Sequence, residues 1–413
     1  MPIKYGDRLI PFETGYPPDL YQISDPPQTI TADIFKQRLD STLSRLNPDL
    51  TKPLIVVGDK TRLCGYPEYL PVLLERLQAF GAARETLRIL IAYGTHQHQS
   101  DEECRRCYGP SYDDCHFEHH DCSRQEAFED LGVTRRGTPV FLRRDIIDAS
   151  FVITFGAISH HYFAGYGGGR KLIFPGLGYK PAIYHNHSLF LDKEAQSLAT
   201  GCQPGRITGN PLAEDLAEIE AFKPADLAIH GILNSGGEVC DLLVGTGSDS
   251  FAEACTQHGK NCEIRSTKRY KTVLASCGGF PKDINFIQAH KAVHHAAAFV
   301  EEGGQLLVLA ECRDGIGSQT FLPWFERNDY QQAFKQLSRQ YEGNGGTALA
   351  MMEKTRRIRI SLMSDLDPAI ANLIGCEAVS EPQAQKIVLD AKEAIGMIPN
   401  ASLLVKTEPQ VKA

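Results

Sequence analysis

The sequence predicts an α/β protein of two doubly wound, Rossmann-like domains with mostly parallel sheets, and three observations carry that expectation. Short β-branched or apolar runs recur along the chain, helical patterns separate several of them, and 413 residues exceed what one core of ordinary size organises. The runs lie at 54–57, 89–92, 151–155, 227–230, 272–275, 306–309 and 358–362. Each is continuously apolar and meets turn residues, the pattern of a strand covered on both faces. Helical periodicity marks 68–80, 289–300 and 382–395, although Pro71 sits badly inside the first. The first 30 residues, with Pro17, Pro18, Pro26 and Pro27, read as an irregular arm packed on the first domain.

A composition shift near 262–271 (CEIRSTKRYK) marks the expected boundary. It gives an N-terminal domain over 1–265, onto which 390–413 packs back, and a C-terminal domain over 266–389, with a substrate cleft between them. Net charge is −8 with Lys and Arg at 43 against Asp and Glu at 51, which argues against a nucleic-acid surface. The N-terminus MPIKYGDRLIPF lacks a signal-peptide core, and no run approaches the length of a membrane span. A cytoplasmic protein with reduced thiols is expected. No oligomeric state follows from these features.

In doubly wound sheets ligands bind beyond the carboxyl ends of strands, so the residues after each run are the first candidates for chemistry. The run at 54–57 leads into Gly58-Asp59-Lys60-Thr61-Arg62, and 89–92 leads into Tyr93-Gly94-Thr95-His96-Gln97-His98. The run at 151–155 leads into GAISHHYFAGYGGGRKLIFPG, and 272–275 into Ser276-Cys277-Gly278-Gly279 and a helix with Gln288 and Lys291. Gly167, Gly168 and Gly169 permit positive φ and close backbone approach, with Arg170 and Lys171 beside them, so a phosphate is the expected guest. The segment fits neither GxxxxGK[ST] nor GxGxxG, and a purely structural glycine turn is the competing account. His161, His185 and His187 surround Lys171 in sequence as metal ligands or proton carriers. For His98, His160 and His185 a turn-capping role is the simpler expectation.

Together Asp59-x-Thr61-Arg62, Gly94-Thr95-His96, HYFAGYGGGRK, His187 and Gln288-x-x-Lys291 resemble the lactate racemase catalytic-subunit family, over residues 50–320. ECRDGIGS at 311–318 is similar to that family's glycine-rich turn in the second domain. The resemblance implies a 2-hydroxy-acid racemase that uses a nickel-pincer nucleotide, a pyridinium-3-thioamide-5-thiocarboxylic acid mononucleotide carrying Ni(II). It implies Lys171 as the covalent attachment, His187 as the nickel ligand, and Asp59, Thr61, Gly168, Gly169 and Arg170 along the cofactor. It further implies His96 and His161 as a proton-transfer pair, each serving one enantiomer, and Arg62, Gln288 and Lys291 at the substrate carboxylate. Cofactor-synthesis enzymes are then the expected maturation partners, and a small 2-hydroxy acid the substrate.

Chemistry agrees with the resemblance. A 2-hydroxy acid has a very weakly acidic Cα–H beside its carboxylate, so hydride removal with proton transfer from the hydroxyl is the easier route. A guanidinium suits two-pronged carboxylate recognition, and sulfur with imidazole suits nickel(II). Malate, longer aliphatic acids and sugar acids remain alternative substrates, and the aliphatic Ile287 beside Gln288 leaves the pocket's shape open. A nicotinamide-dependent dehydrogenase would need a strand–GxGxxG–helix unit that the chain lacks. A non-catalytic cofactor carrier would need only Lys171 and His187. Cys104, Cys107, Cys115 and Cys122, with histidines among them, have irregular spacing for zinc, and the sequence leaves a metal there undecided.

Overall fold

The computed structural model describes residues 2–327 and 329–407. The chain forms two compact units, one made of 25–190 and 200–261, the other of 1–24, 191–199 and 262–413. In the first, a six-stranded sheet runs in the order Val239–Gly245, Leu227–Leu233, Phe151–Ala157, Pro53–Gly58, Arg88–Ala92, His116–His119. Every neighbouring pair is parallel except the edge pair Leu227–Leu233 and Val239–Gly245. Numbered by sequence within this sheet, the order is 3-2-1-4-5-6 read from the other edge, that of a doubly wound dinucleotide fold. Its reversal point lies between Pro53–Gly58 and Phe151–Ala157, the position beyond whose carboxyl ends ligands bind in folds of this order.

Apolar runs occupy the sheet because both of its faces are covered. Ile55, Val57, Ile89, Ile91, Ile153 and Phe155 pack with Phe35, Leu39, Tyr69, Leu73 and Leu77 of helices Ala32–Leu46 and Tyr66–Ala79. Pro71 lies inside the latter helix, but on its solvent side and near its start, where the carbonyl deprived of a partner is that of Pro67. Tyrosine hydroxyls tie the carboxyl ends of these strands together. Gly58 N–H donates to Tyr66, Tyr66 donates to the Phe155 carbonyl (2.9 Å), and Tyr108 donates to the Gly58 carbonyl (2.9 Å).

The second unit holds an all-parallel sheet in the order Glu377–Ala378, Arg359–Met363, Val300–Leu309, Tyr270–Ser276, Gly396–Ile398, Asp19–Leu20. This corrects the expected assignment of both chain ends. The N-terminal arm contributes a paired ribbon, Pro2–Tyr5 with Arg8–Pro11, and an edge strand of this sheet. The terminal segment supplies Gly396–Ile398, and Val405–Thr407 pairs with Glu263–Arg265. Both ends therefore group with residues from 262 onward and not with the first unit. Two helices are also shorter than their periodicity suggests. The expected 382–395 stops at Leu389, because 390–395 must return to the strand at Gly396. The expected 289–300 is Phe286–Ala296, since Val300 already begins the next strand.

Candidate active site

Three side-by-side strands of the first sheet present the candidate groups at their carboxyl ends: His161 after Phe151–Ala157, Asp59 to Arg62 after Pro53–Gly58, and His96 after Arg88–Ala92. At about 4.8 Å per interstrand step, the outer two loops start about 10 Å apart. The switch point is thus where the chemistry-bearing residues collect.

Asp59 is almost wholly buried and joins this row through its carboxylate. One oxygen lies 2.6 Å from His96 Nδ1, and the other accepts from the Thr61 amide (2.8 Å) and hydroxyl (2.6 Å). Burial pushes its carboxyl up, but the His96 ring, the Thr61 hydroxyl and the Arg62 charge together hold it below the ordinary carboxylate range. An ionised Asp59 fixes the His96 proton on Nδ1 and turns the Nε2 lone pair outward as a base. Asp59 thus contacts His96 directly, and Thr61 contacts Asp59. The signal available in sequence was an acid directly after one strand and a histidine after its neighbour.

The His96 turn is tied to the loop that follows Lys171, since Gly94 N–H donates to the Gly176 carbonyl (2.8 Å). Lys171 sits in the single 3₁₀ turn Gly169–Leu172. Enclosure of its amine, then the positive charges of Arg62 and Arg170, lower its pKa from 10.5 to about 7. His187 lies on helix Lys180–Ser188 and donates from Nδ1 to the Ile183 carbonyl (2.9 Å), which makes Nε2 its lone-pair nitrogen. Burial and the nearby charges of Lys171 and His96 lower its pKa to about 4, so it is a neutral imidazole at ordinary pH.

His185, on the same helix, is committed elsewhere. Its Nδ1 meets the Thr138 hydroxyl (3.0 Å), which donates to the fully buried Asp215. Asp215 also accepts from Thr134 and from Asn186 Nδ2 (2.9 Å), and so fastens the His187 helix to its neighbours. This network escaped the sequence reading. Its signal was a carboxylate on the buried stripe Leu212, Asp215, Leu216, Ile219 of helix Pro211–Phe222. His98 and His160 are likewise occupied, by the His120 carbonyl and by His258.

The glycines have a packing explanation. A Cβ on Gly168, at φ +81°, would fall 2.2 Å from the Ala157 carbonyl oxygen, and one on Gly169 would meet the Phe251 ring at 2.4 Å. Arg170 is buried with its guanidinium 5.0 Å from the Phe251 ring centre. Gly168, Gly169 and Arg170 thus each have a close protein contact as well. His161 caps its own turn: its Nδ1 receives the amides of Phe163 (3.2 Å) and Ala164 (3.1 Å).

Gln288 and Lys291 belong to the other unit, on one face of helix Phe286–Ala296, with Lys291 Nζ donating to Gln288 Oε1 (2.7 Å). ECRDGIGS holds the start of that helix, because the Gly315 and Ile316 carbonyls accept from the Phe286 and Ile287 amides. Cys104 and Cys107 are buried in the first unit's core, and Cys107 takes a hydrogen bond from Gln99. Among the described residues no group of three or more His, Cys, Asp or Glu is placed to hold a metal ion, and none of the twelve cysteines forms a disulfide. No helix among them is long and apolar enough to cross a membrane.

A lactate racemase from Thermoanaerobacterium thermosaccharolyticum is 27% identical over 314 residues, 74% of this chain and 72% of its own length. A Lactiplantibacillus plantarum lactate racemase is 27% identical over 278 residues, 65% of this chain and 62% of its own, so the chain spans less than two thirds of that relative. The structure of the lactate racemase apoprotein from T. thermosaccharolyticum superposes with a TM-score of 0.88 at 23% identity, over 98% of this chain and 99% of that one. A Thermotoga maritima protein superposes at 0.69 with 15% identity, over 94% and 100% of the two chains. The lactate racemase N-terminal domain model matches 19–199 and the lactate racemase C-terminal domain model matches 266–348, so the chain belongs to the lactate racemase family of isomerases.

Proposed function

We propose that the protein racemises a small 2-hydroxy acid, lactate first, using a nickel-pincer nucleotide bound through Lys171 and His187. The observation that carries this reading is the pairing of an enclosed lysine amine whose pKa is lowered to about 7 with a neutral imidazole whose Nδ1 is already engaged. That donor set fits the group. A neutral amine is the form that acylates to an amide-type link, and a neutral Nε2 is the form that ligates a metal. When bound, the nucleotide supplies an electron-deficient ring able to accept the substrate's Cα hydrogen with its electron pair.

The chain's own residues do the rest. Arg62 offers a planar guanidinium to the substrate carboxylate. His96, backed by Asp59, takes the hydroxyl proton at Nε2 and returns it to the same oxygen as the 2-oxo acid's carbonyl is reduced, a role worth about 10²–10⁴-fold. His161 meets a substrate oxygen on the other side. Loading requires the sulfur-bearing nucleotide from separate synthesis enzymes, the expected maturation partners.

Purified protein from cells that co-express those enzymes is incubated with pure L-lactate or pure D-lactate, and the products are separated on a chiral column. Both should approach equal amounts of the two enantiomers. Racemisation of malate, 2-hydroxybutyrate or a sugar acid instead of lactate would reassign the substrate, and racemisation of none would refute the reading.

A further inference from the structure

We infer that the buried carboxylate of Asp215 is a positioning residue for His187, holding the helix that carries this histidine at the rotation that aims its ring. This deepens the proposed racemase reading, in which His187 holds the nickel, and rests on it. Helix Lys180–Ser188 has nine residues, and those it buries are Ala182, Ile183 and Asn186. With two small patches of apolar contact, packing alone specifies its rotation weakly. Its start is fixed by backbone, Lys180 N–H donating to the Cys122 carbonyl (2.9 Å). Nearer its end the hold is polar.

There Asp215 collects three donors on two oxygens. One oxygen accepts from the Thr134 hydroxyl (2.5 Å), the other from the Thr138 hydroxyl (2.7 Å) and Asn186 Nδ2 (2.9 Å). A hydroxyl that donates to the carboxylate keeps lone pairs for a second group: Thr134 accepts the Thr138 amide (3.1 Å), and Thr138 accepts from His185 Nδ1 (3.0 Å). Every bond thus points toward the carboxylate. Asn186 is wholly buried, and turning its amide over would set oxygen against oxygen, so its donor edge faces Asp215. Its Oδ1 then has no hydrogen-bond partner among the described residues, a cost that a leucine at 186 would avoid. An amide here is worse than leucine for packing and better for a hold of fixed direction.

Helix geometry turns that hold into aim. Successive residues are about 100° apart, so His187 projects about 150° from the midpoint of His185 and Asn186, on the far side from Asp215. His187 Nδ1 donates to the Ile183 carbonyl one turn back, so the ring's direction follows the helix's own backbone. Rotation of the helix swings the ring with it, and Asp215 opposes that rotation. Asn186 touches the carboxylate directly while His185 reaches it only through Thr138, which makes Asn186 the stronger grip.

Two measurements test the hold. Protein loaded by co-expression is mixed with excess EDTA below the melting temperature of every variant; metal analysis follows nickel release, and intact-protein mass spectrometry follows the adduct on Lys171. Asp215→Ala should release nickel at least about tenfold faster than wild type with the nucleotide still attached, and Asn186→Leu about threefold faster or more. Leu73→Ala, a truncation in the core of the same unit, should lower the melting temperature yet release nickel at the wild-type rate. Wild-type release from either site variant overturns the inference. So does release from Leu73→Ala as fast as from Asp215→Ala, because the effect is then general destabilisation. If Asp215→Ala does not fold, Asn186→Leu decides alone. In apoprotein, backbone hydrogen exchange over 180–188 should quicken in Asn186→Leu and not in Leu73→Ala, and unchanged exchange in Asn186→Leu also overturns the inference. Loaded wild-type protein with neither nickel nor nucleotide defeats the racemase reading instead, and the exchange measurement still decides whether Asp215 holds this helix.

Discussion

Lys171 offers the sharpest quantitative test, because its enclosure makes a claim about the apoprotein alone. The fall from 10.5 to about 7 is equivalent to about 5 kcal/mol in favour of the neutral amine. At pH 7 about half of the Lys171 population is then neutral, against roughly one in 3,000 for an ordinary lysine. Competitive labelling with acetic anhydride across pH 5 to 11, read by peptide mass spectrometry, reports the midpoint for each lysine. Lys171 should titrate near 7 while exposed lysines follow the ordinary value near 10.4. Its absolute rate will be low if the reagent enters slowly, but the midpoint is independent of access. Arg62→Gln or Arg170→Gln should move it upward, since each removes a positive charge that opposes the ammonium form. A midpoint near 10, or one indifferent to both variants, would refute the enclosure argument.

Further outcomes follow from the same geometry. Asp59→Asn should cut turnover by ~10²–10⁴-fold while nickel and nucleotide content stay near wild type, since Asp59 orients His96; loss of cofactor with activity would return it to the cofactor's contacts. His187→Ala should abolish most bound nickel in metal analysis and His185→Ala little of it, because His185 is held by Thr138; equal losses would contradict the assignment. Arg62→Lys should raise the substrate KM by the equivalent of ~1.5–3 kcal/mol, an ammonium being unable to copy the two-pronged contact; unchanged kinetics would remove Arg62 from the site. Gly168→Ala should lower the melting temperature markedly in a thermal scan, its methyl colliding with the Ala157 carbonyl; a neutral effect would show that this turn can shift.

Much of the fold was readable because both sheets are covered on two faces, so their strands are uninterrupted apolar runs such as 151–155. The misplaced segments are those whose partners lie far away in sequence. Asp19–Leu20 is polar at one position and exposed at the other, and only its pairing with Gly396–Ile398 makes it a strand. Among the site residues, His96, His161, Arg62 and Lys171 stood out as functional types after strands. What the histidines do depends on the partners of one ring nitrogen. The difference between His185 and His187 is a threonine from a hairpin 47 residues away against a carbonyl one helical turn back. No local pattern encodes that choice.

The three adjoining strands that carry His161, Asp59 and His96 also act as a ruler. Because strand spacing is set by backbone hydrogen bonds, the width available across the row is fixed at about two steps whatever side chains line it. Extra substrate bulk has to be housed outward from the sheet, along the loops, and not across it. Variants seeking longer hydroxy acids should therefore change loop residues beyond the row and leave the strand ends untouched.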